Sequence, residues 1–201
     1  MKYIVPVLIV IIIVLVAALS FTLGKKGTLS SGVSSQVSPT VTLAPTATST
    51  PTPINTKKIT GGGIYSLYKW ELTVPSTWQE KREKDGVNSE KVILTKDSYE
   101  ISITQGGFGG AACLYPGDAD IEGPSARYEA YKEITTKSGD ALRRSWTGDE
   151  MVSKGFGICH KTQYGWGTPT LYGHIAFITP TSKTKAMLDE MDAVLSSLTK
   201  L

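Results

Sequence analysis

Residues 64–74 read IYSLYKWELTV. Laid out as extended chain, Tyr68, Trp70, Leu72 and Val74 share one face while Lys69, Glu71 and Thr73 take the other. That period of two is the mark of a half-buried strand. Pro75 closes it, and beyond Trp78 the chain turns strongly polar. Similar segments follow at 90–96, 98–105, 131–137, 141–146, 154–161 and 171–179, with Lys96-Asp97-Ser98 placed as a hairpin connection between the first two. The last of them, LYGHIAFIT (171–179), is apolar on both faces, as expected of a central strand.

The pattern changes period near the end. Met187, Leu188, Met191, Val194, Leu195 and Leu198 recur at spacings of three and four, which predicts a helix over 182–200 capped by Thr181 or Ser182. A shorter helix is expected over Pro124–Tyr131. Together these elements predict an α+β domain: an antiparallel sheet with a C-terminal helix packed on it.

Composition divides the chain into three. Residues 3–23, YIVPVLIVIIIVLVAALSFTL, carry no charge and, at 1.5 Å per residue, reach about 30 Å as a helix, enough to cross a hydrocarbon core. With Lys2, Lys25 and Lys26 at its ends, segment 1–26 is expected to be a transmembrane anchor. The alternative is a cleaved signal peptide, for which Ala18-Leu19-Ser20 offers a small-x-small site. Residues 27–60 are expected to be a disordered linker: 27–56 hold six Ser, eight Thr and four Pro and no charged side chain. Residues 61–201 are then the folded domain, a single-pass membrane protein's C-terminal part carried outside the cytoplasm.

Charge narrows the partners. Of 21 Lys and Arg, three flank the apolar run, so the remaining 18 balance all 18 Asp and Glu, which lie after residue 70. A neutral domain lacks the basic face that replaces phosphate counterions, which argues against nucleic acid. Arg143-Arg144 is the one arginine pair and is expected at a solvated strand edge.

WELTVPSTW (70–78), the hairpin that follows, a Gly- and Lys-rich middle, a two-faced strand ending in Pro180 and the closing MLDEMDAVLSSL (187–198) resemble the PsbP-like α/β/α sandwich group over about residues 62–200. That group includes the lumenal photosystem II extrinsic protein and many anchored bacterial proteins of unknown role. The resemblance implies a fold and an extracytoplasmic setting and no activity.

Several segments invite chemistry. Gly106, Gly107, Gly109 and Gly110 match neither a P-loop nor a dinucleotide fingerprint, and are expected at a strand end or bulge. Cys113 and Cys159, the two cysteines of the sequence, are expected to form a disulfide in an outward-facing domain. The rival is an envelope enzyme using Cys159 and His174; adjacent His160 points to the opposite face of a strand and cannot serve Cys159. A metal cluster of Cys113, Cys159, His160 and His174 has no diagnostic spacing. Asp118, Asp120, Glu122 and Glu129 stand at positions 1, 3, 5 and 12 of a candidate Ca²⁺ loop with Gly123 at 6, although Glu122 is long for its position and Pro116-Gly117 precludes an entering helix. The competing reading is a solvated acidic turn. Tyr164 and Trp166, set among glycines, are candidates for stacking on a sugar or anchoring an envelope polymer or protein partner. The expected function is accordingly a non-catalytic, membrane-tethered binding or structural domain.

Overall fold

The computed structural model describes residues 55–107 and 109–201, which belong to one compact unit, Pro51–Leu201. The apolar run 3–23 lies outside the described residues; among the described residues, no helix is long and apolar enough to cross a membrane.

Thirteen strands and one helix make up the described residues. A three-stranded sheet has the order β1-β2-β13, with β1 Thr56–Gly62, β2 Lys69–Pro75 and β13 Thr199–Lys200. Because β1 begins at Thr56, residues 56–60, which composition assigns to the linker, are part of the folded unit. The large sheet runs β3 (Gln79–Lys84), β4 (Glu90–Lys96), β5 (Tyr99–Gln105), β12 (His174–Ile178), β10 (Gly155–Thr162), β11 (Gly165–Thr168), β6 (Ala111–Leu114), β7 (Ser125–Arg127). From β10 a branch leads to β9 (Ala141–Trp146) and β8 (Ala130–Thr135). All pairs are antiparallel except β6 with β7.

The helix α1, Lys185–Ser196, presents Leu188, Met191, Val194 and Leu195 to the core. Thr184 caps it, its hydroxyl accepting from the Met187 N–H at 3.2 Å, so the start lies past the Thr181 or Ser182 expected from sequence. The α+β class and its α/β/α sandwich are overturned. The described residues are mostly β-sheet, with the single helix α1 near the C-terminal end. Segment 124–131 is not a helix: Ser125–Arg127 pairs with β6 and Ala130 onward pairs with β9, because tertiary pairing outweighs the weak local helical preference.

β10 organises the sheet. On one side it pairs with β9, and on the other its first residues pair with β12 and its last with β11. β11 and β12 therefore run in line, interrupted by residues 169–173. β5 and β6 likewise run in line beside them, interrupted by 106–110. The glycine cluster is thus a strand interruption where two neighbouring strands break at the same level and the sheet divides into wings. Close approach explains some of its neighbours: a Cβ on Gly173, at φ +117°, would lie 2.5 Å from the Thr104 carbonyl oxygen.

Alternation gives each wing its faces. Ile101, Ile103, Ile175, Phe177, Phe156, Ile158 and Leu142 point inward with Trp70, Leu72, Val74 and α1 into the main core. On that same face Arg144, 1% exposed, reaches Asp192 of α1 with Nε at 2.7 Å from Oδ1, and Glu150 with Nη2 at 2.6 Å. Edge strand β3, QEKREK, is exposed throughout and charged at every position after Gln79, which discourages pairing with another chain.

Candidate functional site

Residues on the other face of β8–β11 have a separate cover. Cys159, Arg143 and Ser145 point outward there, and the chain from Leu114 to Tyr128 folds across them. Its tie is the Cys113–Cys159 disulfide, as expected from the sequence. β11 lies between β6 and β10 in the sheet, so in a flat sheet Cα atoms of those two strands could be no closer than about 9.5 Å. Cys113 and Cys159 are 6.4 Å apart, so the sheet curls around β11 and closes a small second core. Tyr115, with Tyr128 and Trp166 packed beside it, completes that core.

A stacked arginine sits at its centre. The Arg143 guanidinium carbon lies 3.6 Å from the Tyr131 ring centroid, 4.0 Å from that of Trp166 and 4.7 Å from that of Tyr115, and Glu133 accepts from its Nη2 at 2.8 Å. The Arg143-Arg144 pair is therefore no solvated edge: Arg144 enters the main core and Arg143 is held among aromatic rings. Adjacent strand residues point to opposite faces, and that alternation was the available sequence signal for both arginines. Tyr115 and Tyr131 were missed because one lies in a loop and the other belongs to a face whose cover is not local in sequence. Burial raises the Tyr115 and Tyr128 phenols above their ordinary range, partly countered for Tyr115 by its bond with Ser145 and by Arg143. Both are neutral near pH 7, and the Tyr115 and Ser145 oxygens are 2.7 Å apart.

The four loop carboxylates do not converge. Asp118 Oδ2 accepts from the Tyr115 N–H at 2.8 Å, Asp120 pairs with Arg127, Glu129 Oε2 accepts from the Gly148 N–H at 2.8 Å, and Glu122 is exposed. Among the described residues no group of three His, Cys, Asp or Glu is arranged to hold a metal ion. Asp118 and Asp120 have partners within the loop, Glu129 reaches Gly148 and Glu122 is exposed, so the four are not gathered around a common point, and the Cys113, Cys159, His160, His174 cluster is likewise not formed.

Alternation places His174 on the same face as Cys159, as the enzyme reading required. Cys159 nevertheless has its sulfur in the disulfide and is fully buried, so it presents no thiolate. His160 lies on the core face, its Nδ1 3.0 Å from the Gly167 carbonyl, and burial lowers its pKa. It lines a cavity of about 50 Å³ with Asp140 and Tyr172, whose hydroxyl donates to Asp140.

Tyr164 and Trp166 do meet at a concave surface. With Leu114, Asp118, Ala119 and Ile121 they line a groove of about 270 Å³ between the acidic loop and the β10–β11 hairpin. Tyr164, at the hairpin tip, is 91% exposed. A wider groove of about 380 Å³ is polar and lined by Lys69, Arg82, Lys84 and Glu90, with Glu90 3.3 Å from Arg82 and 3.6 Å from Lys84.

No family model, curated protein or solved structure matches this chain, and so none bears on the PsbP-like resemblance.

Proposed function

We propose that residues 55–201 are a non-catalytic binding domain, carried outside the cell membrane by the apolar run 3–23 and the Ser/Thr/Pro segment that follows. The observation supporting this most directly is the Cys113–Cys159 disulfide. It uses both cysteines of the sequence, and it fastens the loop that forms one wall of the Tyr164–Trp166 groove to the sheet that forms the other. Such cross-links persist in oxidising compartments outside the cytoplasm. The Ser/Thr/Pro segment is too polar to bury a core of its own, so it suits a spacer between membrane and domain.

The test uses the full chain in intact cells. Proteinase K, which needs no basic residue and can cut the uncharged Ser/Thr/Pro segment, is expected when added outside to release the domain with its disulfide intact, and alkylation under denaturing conditions is expected to label cysteines only after reduction. Protection from the protease until lysis, or free thiols before reduction, would overturn the proposal.

A further inference from the structure

The groove has a chemistry that narrows its ligand. Its walls offer two aromatic rings, Trp166 and Tyr164, beside the aliphatic groups of Leu114, Ala119 and Ile121. The hairpin tip is fixed: Thr162 Oγ1 accepts from the Tyr164 N–H at 3.1 Å and donates to the Gly165 carbonyl at 3.1 Å. Tyr164 is therefore presented on an ordered turn, with an exposure of 91% that burial against its own domain does not explain.

Charge disfavours two ligand classes. Asp118 lines the groove and no cationic side chain is among its lining residues, so an anion would meet repulsion. A cation meets a different obstacle. The Arg143 guanidinium already lies over the Trp166 ring at 4.0 Å, offsetting the ring's negative face that would attract a second positive charge. What remains is an uncharged molecule with an apolar face for the rings and hydroxyls for a fixed acceptor. Asp118 is such an acceptor: the Tyr115 N–H holds one carboxylate oxygen at 2.8 Å, leaving the other to accept from a ligand. A volume of about 270 Å³ falls just below the range of roughly 300–1,000 Å³ usual for drug-sized ligands, which suits one sugar ring with its neighbours in solvent.

We infer that this groove binds a neutral saccharide unit of an envelope glycan, stacked between Trp166 and Tyr164 and hydrogen-bonded to Asp118. The inference rests on the binding-domain reading above and names its ligand class.

The full chain in lipid nanodiscs, applied to an immobilised array of neutral, N-acetylated, amine-bearing and sulfated glycans, supplies the test, with a neutral apolar hexapeptide as a further arm. At least one neutral glycan is expected to bind saturably, with amine-bearing and sulfated counterparts at least tenfold weaker. Tyr164→Ala is expected to weaken that binding at least tenfold while leaving the disulfide and melting temperature unchanged, since its ring is exposed; Trp166→Ala is the second variant, with folding checked by circular dichroism. Absence of neutral-glycan binding, or binding indifferent to Tyr164→Ala, overturns the inference. If the hexapeptide alone binds and depends on Tyr164, the saccharide is wrong and the binding domain stands; if neither ligand binds, both readings fall.

Discussion

The Tyr128 side chain occupies the space that a Cβ on Gly157 would need: the added carbon would lie 2.0 Å from the phenolic oxygen and 2.7 Å from Cζ. Tyr128 belongs to the segment folded across the outer face, so this contact fixes how closely that segment approaches β10. Gly157→Ala is expected to lower stability by about 1–3 kcal/mol, the usual cost of overpacking. Tyr128→Ala should recover part of the loss by opening the space. Urea denaturation of both single variants and the double variant measures the coupling; strictly additive losses would show that the contact does not set the packing.

Removing the disulfide releases the same segment at its other end. Cys113 and Cys159 are 46 residues apart in sequence, for which chain entropy gives a stabilisation of roughly 3–4 kcal/mol. The Cys113→Ala/Cys159→Ala variant is expected to lose about that much by chemical denaturation. It should also lose protection from hydrogen exchange first in β6, which the bond joins to β10 across β11. Unchanged exchange in β6 would mean the pairing with β11 is sufficient without the bond.

What the sequence made legible follows from where the deciding interactions lie. The alternation at 68–74, the two-faced strand around Ile175 and Phe177 and the helical stripe from Leu188 to Leu195 are local patterns, and each became the element expected of it. β3 was invisible because an edge strand exposed on both faces carries no apolar alternation. β7 and β11 were invisible because three or four residues are too few to show a period. The fold class failed for a related reason: β1 and β13 are each held by pairing with β2, and neither shows a strand pattern in its own sequence. At the groove, the disulfide and both aromatics could be picked out by residue type. Arg143 between Tyr131 and Trp166 could not, since three separate strands supply the parts.

A buried ion pair joins the helix to the sheet. Arg144 and Asp192 have side chains 1% and 8% exposed, and Lys132 also reaches Asp192, at 2.8 Å. Arg144→Met leaves Asp192 with Lys132 as its cation and removes the bonds at Nε and Nη2. A loss of about 3 kcal/mol is expected, at the lower end of the range for a broken buried pair. Arg144→Met/Asp192→Leu should be more stable than Arg144→Met, because no carboxylate is then left in the core. A double variant no better than the single one would locate the cost in lost packing of the arginine against Trp146 and Phe156, whose ring centroids lie 5.1 and 4.6 Å from its guanidinium carbon.

His160 makes stability depend on pH in a defined direction. Burial lowers its pKa from 6.5, with the Gly167 carbonyl and Asp140 opposing that shift more weakly. The unfolded chain therefore takes up a proton near pH 6.5 while the folded one still excludes it, and the unfolded state gains as the pH falls. Stability should be full above the unfolded value, decline as the pH drops from 6.5 and level off below the folded value. In His160→Asn an amide still donates to the Gly167 carbonyl but carries no titrating group. Denaturation midpoints measured from about pH 5 to about pH 7.5 should give a difference between wild type and variant that narrows as the pH falls. Parallel curves over that interval would show that His160 is protonated equally in both states, and hence that the cavity with Asp140 and Tyr172 is wet enough to solvate the imidazolium.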